Sequence, residues 1–314
     1  MKRAFVFPGQ GSQAVGMGKE LNKAFIEAKE VFQEIDDTLS LSLSKLMFEG
    51  PDSELMLTEN AQAAIMAVSM ATIRIIEHQG NIKVSELAAF VAGHSLGEYS
   101  ALAASGSISL SDTATLLRKR GKSMQDAVPL GDGAMVALIG SSFEDVQSLI
   151  EQSRLKGEIC SIANDNAPGQ LVVSGNKKSV INTIEKSKDF GVKKAVLLAV
   201  SAPFHCKLME PAKEIMKDEI EKVQFHSLKL PIVTNISAEQ EEDTDRIKQL
   251  LIEQITGMVR WRESITNLCQ NGVGEIIEIG AGKVLSGLNK RINRKITSRN
   301  IENIQDIDNF MESI

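Results

Sequence analysis

Residues 87–92, Leu-Ala-Ala-Phe-Val-Ala, are apolar without a break. They run directly into Gly93-His94-Ser95-Leu96-Gly97, and the chain then reads as helix to about Ala104. A short apolar run with no polar alternation predicts a strand buried on both faces, as in a parallel sheet covered by helices. A GxSxG sequence between such a strand and a helix predicts a nucleophile elbow. There Ser95 sits in a strained turn, and the flanking glycines let neighbouring backbone approach. The following helix directs its N-terminal amides and positive dipole end at a developing oxyanion. Ser95 is therefore the candidate nucleophile.

The 314 residues suit one large α/β unit carrying a smaller insert. Residues 3–7 read as a buried strand ended by Pro8-Gly9. Leu21, Phe25, Ala28, Phe32 and Ile35 recur at helical spacing, and 61–78 reads as a second helix. A third spans 112–128, with Ala114, Leu117, Gly121, Met124 and Val128 as its apolar stripe. The order then becomes strand (134–139), helix (143–154), strand (158–163), strand (170–174), helix (176–189), strand (193–198). This β-α-β-β-α-β order predicts a ferredoxin-like unit. The expected organisation is a core from 1–129 and 200–314, with a small inserted subdomain at 130–199. A helix from about 207, a strand near 231–235, a helix near 244–256 and a strand at 274–279 complete the core. The last fifteen residues show only weak periodicity, and no element is assigned to them.

A serine nucleophile needs a base, and the chain offers His78, His94, His205 and His226. His205 lies in a loop after a strand and downstream of the serine, the order that a hydrolase-type site requires. His94 adjoins the nucleophile, and neighbouring side chains diverge, so it packs beside the pocket or lines it. No acid stands in a recognisable loop between Ser95 and His205. The sequence names no third triad member, and a backbone carbonyl can hold the imidazole instead. Cys206 is a poor alternative nucleophile beside its own base. Arg118 and Arg120 flank the apolar stripe of the 112–128 helix on opposite edges, with Lys119 facing away. Either arginine can reach inward to an anionic group.

Gly9-Gln10-Gly11-Ser12-Gln13-Ala14 matches a relaxed GxGxxA. Taken alone it suggests a dinucleotide site with Glu30 or Glu34 on the ribose. Pro8 intrudes on that pattern, and a glycine-rich loop placing Gln10 beside the serine is the other reading. The net charge of −6 argues against a general nucleic-acid binder. Three scattered cysteines without a CxxC pair fit free thiols in a reducing, cytoplasmic setting and give no zinc site. No stretch resembles a membrane span or a signal-peptide core. No cofactor or metal is expected.

Seven blocks together resemble the bacterial malonyl-CoA:acyl carrier protein transacylases over essentially the full length. They are FVFPGQGSQ (5–13), GHSLGEYSAL (93–102), RGKSMQ (120–125), GAMVALIG (133–140), NAPGQLVVSG (166–175), PFHCKLM (203–209) and EIGAGKVLSGL (278–288). The resemblance implies an α/β-hydrolase-like core with a ferredoxin-like insert. It implies transfer of malonyl from malonyl-CoA to the phosphopantetheine thiol of holo acyl carrier protein, through an ester on Ser95, for fatty acid biosynthesis. It makes His205 the base, the amides of Gln10 and Leu96 the oxyanion hole, and Arg120 the malonate partner. Phe204 and His94 join the substrate pocket. A main-chain carbonyl in Val259–Trp261, at Arg260, is expected to orient His205; some members of the family have Gln where this chain has Arg260. Separately, the positive charge at Lys283, Lys290, Arg291, Arg294 and Lys295 suggests a docking face for an acidic carrier protein. A serine esterase or thioesterase on the same core is the enzymatic alternative, and a scaffold with a relic serine the non-enzymatic one.

Overall fold

The computed structural model describes residues 1–314 and contains two sheets. In chain order the strands are β1 (Lys2–Phe7), β2 (Phe90–Gly93), β3 (Gly133–Ile139), β4 (Cys160–Ala167), β5 (Gln170–Asn176), β6 (Lys194–Leu197), β7 (Ile232–Val233), β8 (Gln240–Glu241), β9 (Val273–Ile279) and β10 (Thr297–Ile301). The large sheet runs β10-β9-β1-β2-β7-β8. Its pairings are parallel except for β7 with β8. The small sheet runs β4-β5-β3-β6 and is antiparallel throughout. With its two crossing helices, Phe143–Ser153 and Lys177–Lys186, it is the ferredoxin-like unit.

Alternation along β1 shows why the large sheet is covered on both faces. Phe5 and Phe7 enter the main core, whereas Ala4 and Val6 enter a second cluster around Trp261 on the opposite face. The helix Thr58–Gly80 is buried along most of its length and lies inside the main core. A further cluster, built around Val136, Leu149 and Val173, belongs to the small sheet alone. The small unit is also stitched to the large one beside the site. Asp165 N–H donates to the Val259 carbonyl at 2.9 Å, and Val259 N–H donates to the Ala163 carbonyl at 2.9 Å. Arg262 grips the buried Asp165 carboxylate with two nitrogens, at 2.6–3.0 Å.

Several expected boundaries move. The run at 87–92 splits: Leu87 ends a short helix, Val84–Leu87, and only Phe90–Gly93 is strand. The first helix breaks at Phe25 into Lys19–Ala24 and Ile26–Leu39. The C-terminal stretch carries β10 and the helix Ile304–Met311, which buries Ile307 and Phe310. Asn303 and Asp306 form a capping box at that helix start, a signal legible in the sequence as Asn-x-x-Asp. No helix is long and apolar enough to cross a membrane.

Candidate active site

Ser95 follows β2 and precedes the helix Gly97–Ala104, with φ at +54°. A non-glycine residue there is strained, so its surroundings must hold it. A side chain from the loop after β7 does so. Asn235 Oδ1 accepts the Ser95 N–H at 2.7 Å, and Asn235 Nδ2 donates to the Gly93 carbonyl at 2.7 Å. Gly97 is required by close approach, since a Cβ there would stand 2.2 Å from the Phe7 carbonyl oxygen of β1.

His205, also at positive φ (+57°) and buried, reaches Ser95 from the loop after β6. Its Nε2 lies 2.7 Å from Ser95 Oγ, and its Nδ1 lies 2.9 Å from the main-chain oxygen of Gln254. A carbonyl only accepts, so Nδ1 carries the ring proton and Nε2 turns its lone pair to the serine hydroxyl. This carbonyl is not that of Arg260, the position expected from the resemblance. Arg260 is the N-cap of the helix Trp261–Gln270, so its carbonyl takes the first intrahelical bonds, from Ser264 N–H and Oγ, each at 2.9 Å. Its guanidinium pairs with Glu263 and the carbonyls of Ile236 and Ser237. Gln254 instead ends the helix Thr244–Gln254, where the last carbonyls have no intrahelical partner.

Arg120 is 1% exposed and points inward from the helix Leu110–Asp126, while Arg118 pairs outward with Glu59 and Asn60. The close helix contact depends on Gly121, where a Cβ would come within 2.5 Å of the Thr58 carbonyl oxygen. Arg120 Nη1 donates to Gln62 Oε1 at 2.7 Å, and Nη2 donates to Gln254 Oε1 at 2.8 Å and to Ser95 Oγ at 3.0 Å. All three acceptors are neutral, so the guanidinium is a buried cation aimed at Ser95 without a carboxylate in contact.

These groups open into a cavity of about 280 Å3, whose polar wall includes Gln10, His94, Asn164 and Arg120 beside Ser95 and His205. Met124, Met135 and Phe204 line its apolar side. His94 is held off the serine by Asn166, with Nε2 2.8 Å from Asn166 Oδ1. The backbone N–H groups of Gln10 and Leu96 donate to no other group of the chain, and Leu96 is buried. The Gly9–Ala14 loop thus lies over the serine, and Glu30 and Glu34 are exposed on another helix. His78 pairs with Glu27 far along the chain, and Cys206 Sγ donates to the Pro203 carbonyl at 3.1 Å. Gln62, Glu98, Asn235 and Gln254 carry no signature in the sequence, because their pairings form only across the fold.

The acyl transferase domain family matches residues 4–304. A malonyl CoA-acyl carrier protein transacylase of Bacillus subtilis is 42% identical over 313 residues, covering 100% of this chain and 97% of the relative. An acyl-carrier-protein S-malonyltransferase structure from Bartonella henselae superposes with a TM-score of 0.97 at 50% identity, covering 100% and 99% of the two chains. A malonyl-transacylase solved in complex with a type II acyl-carrier protein gives 0.96 at 37% identity, with both chains fully covered. This chain belongs to the malonyl CoA-acyl carrier protein transacylases of the acyl transferase family.

Beside Ser95, the electrostatics of His205 follow from its burial. Burial, helped by the Arg120 charge, pulls the His205 imidazole from 6.5 down to about 3, against the bond to Gln254 that favours protonation. The His205 imidazole is therefore neutral well into acid. The acid limb of kcat/KM should fall at least about one unit below the ordinary imidazole value, because kcat/KM reports the free enzyme. A pH-rate profile with its limb near 6.5 would contradict that environment. Stability has the same sign. The unfolded imidazole takes a proton below about 6.5 that the folded one refuses, so stability present above 6.5 is lost as pH falls towards 3.

Proposed function

We propose that this chain transfers malonyl from malonyl-CoA to the phosphopantetheine thiol of holo acyl carrier protein through an ester on Ser95, in the service of fatty acid biosynthesis. The observation that carries the reading is the buried Arg120, 3.0 Å from a serine hydroxyl that is itself 2.7 Å from a neutral imidazole. A nucleophile and base serve any acyl group, whereas a buried, bidentate-capable cation beside them selects an acyl group with a carboxylate.

Ser95 Oγ attacks the thioester carbonyl while His205 Nε2 takes its proton. The oxyanion is received by the Gln10 and Leu96 amides, which are free of other bonds in the chain. Collapse breaks the C–S bond, and the imidazolium returns the proton to the departing CoA sulfur. The carrier thiol then gives its proton to Nε2 and attacks the ester. Ser95 Oγ leaves and recovers the proton, so the two halves balance. During this cycle Nδ1 keeps its proton and donates it in a hydrogen bond to the Gln254 carbonyl, which stabilises the imidazolium as a dipole rather than as a charge. Arg120, with His94 and Phe204 lining the same cavity, holds the malonyl carboxylate.

Residues 130–199 act, in this reading, as a subdomain set on a catalytic domain of 1–129 and 200–314; the separate apolar cluster of the small sheet supports the division. Three free thiols, Cys160, Cys206 and Cys269, favour a reducing cytoplasmic setting. Docking of the acidic carrier protein is assigned to the exposed Lys283, Lys290 and Arg291 on and before the helix Val284–Ile292. Reversing Lys290 and Arg291 to Glu should raise the KM for carrier protein several-fold and leave self-acylation unchanged. Equal loss of both half-reactions removes the assignment. The function as a whole is tested by mixing the protein with radiolabelled malonyl-CoA. Label should survive acid precipitation on the protein and pass to holo carrier protein when that is added. Release of free malonate instead would indicate a thioesterase.

A further inference from the structure

Glu98 stands three residues beyond Ser95, in the first turn of the helix Gly97–Ala104, and is 1% exposed. A carboxylate so deeply buried ordinarily finds a cation, and Glu98 has none in contact. Its Oε2 accepts two hydrogen bonds, from the Asn235 main-chain N–H and from Gln254 Nε2, each at 2.9 Å. Its Oε1 has no partner in the chain. Burial pushes the carboxyl up to about 7, with the two bonds and the charge of Arg120 acting the other way.

The two residues that Glu98 grips are the ones holding the reacting groups. Asn235 spans the elbow, taking Ser95 N–H and giving to the Gly93 carbonyl. Gln254 touches all three functional side chains or their backbone. Its Nε2 donates also to the Ser95 carbonyl at 3.0 Å, its Oε1 accepts from Arg120, and its main-chain oxygen accepts from His205. The Gln254 amide has its nitrogen end committed to Glu98 and the Ser95 carbonyl and its oxygen end to Arg120. Removing Glu98 leaves the nitrogen end with the Ser95 carbonyl and, at 3.4 Å, Asn235 Oδ1.

We propose that Glu98 is a positioning residue for acylation, which by accepting from Asn235 and Gln254 holds nucleophile, base and arginine in a single geometry. This rests on the acyl-transfer reading of Ser95. What the role requires is one oxygen facing two donors. Glu98→Gln retains that oxygen and puts its amide nitrogen where Oε1 has no partner. Glu98→Met fills the same space and offers no acceptor.

The test is single-turnover acylation by malonyl-CoA of wild type, E98Q and E98M, each normalised to active sites counted from the burst of released CoA. E98Q should stay within about fivefold of wild type, and E98M should be slowed by about a hundredfold per active site, the cost of an ångström-scale misplacement. E98M should also lose preference for malonyl- over acetyl-CoA, because Arg120 loses the anchored oxygen of Gln254. Should E98M not fold, Glu98→Asp withdraws the acceptor from both donors by one methylene and should show the same slowing. An E98M enzyme with the wild-type rate per active site and only a lower Tm overturns the proposal, since Glu98 then serves folding alone. E98Q as slow as E98M overturns it too, because charge rather than the two bonds is then decisive. Wild-type protein that takes no label overturns the acyl-transfer reading itself, and the proposal with it.

Discussion

His205→Ala is expected to slow acylation of Ser95 by on the order of a thousandfold or more while leaving the chain folded. The expectation follows from what else surrounds Oγ. Arg120 only donates to it and cannot take its proton. His94, the nearest other imidazole in the cavity, has its Nε2 engaged by Asn166. The bond lost on the other side, from Nδ1 to the Gln254 carbonyl, leaves a helix-end oxygen that water can satisfy. Quenched-flow measurement of malonyl-enzyme formation checks this. An unchanged acylation rate would place the base elsewhere and remove the dyad.

Arg120→Ala is expected to cut kcat/KM for malonyl-CoA by at least about a hundredfold and to leave acetyl-CoA unchanged or improved. The two thioesters present the same carbonyl to Ser95 and differ by one carboxylate, which must shed water to enter the cavity. An unpaired charge there is costly, and the planar guanidinium offsets it through two parallel bonds. Losing such a pair typically costs about 2–5 kcal/mol, or roughly 30- to several-thousand-fold. Without substrate, the same guanidinium rests on three neutral oxygens, those of Gln62, Gln254 and Ser95. Acetyl-CoA leaves it facing a methyl group, so truncation removes a penalty for acetyl and a partner for malonyl. Arg118→Ala is the control, since Arg118 pairs with Glu59 and Asn60 outside the cavity. Acylation by each thioester is measured for all three proteins. Equal weakening of both substrates in Arg120→Ala would make the arginine structural.

The elbow was legible because its determinants are adjacent in sequence: a buried strand, two close-packed glycines and a helix. Chain order and chemistry point to His205, and the structure sets its ring against Ser95. Arg118 and Arg120 are equivalent on the helical wheel, and in the sequence only the resemblance separates them. The structure separates them by their partners: Arg120 reaches Gln62, Gln254 and Ser95, whereas Arg118 ends at Glu59 and Asn60. The carbonyl that faces the His205 ring is that of Gln254 and not that of Arg260. An orienting carbonyl carries no side-chain signature, and Gln254 is 49 residues away from His205. What distinguishes Gln254 from Arg260 is only that one ends a helix and the other begins one. Glu98 and Asn235 were invisible for a similar reason, being joined across 137 residues. At the C-terminus, the edge strand β10 pairs only with β9, so the polar Thr-Ser-Arg-Asn-Ile sequence tolerates exposure that a central strand would not.

A malonyl group that passes through an ester on Ser95 can be trapped there. Acid-quenched protein from a brief incubation with malonyl-CoA, digested and mapped by mass spectrometry, tests it most directly. One malonyl group is expected on the peptide carrying Ser95, absent in Ser95→Ala and lost when holo acyl carrier protein is added before the quench. Malonyl on Cys206, or a modification that persists in Ser95→Ala, would contradict it.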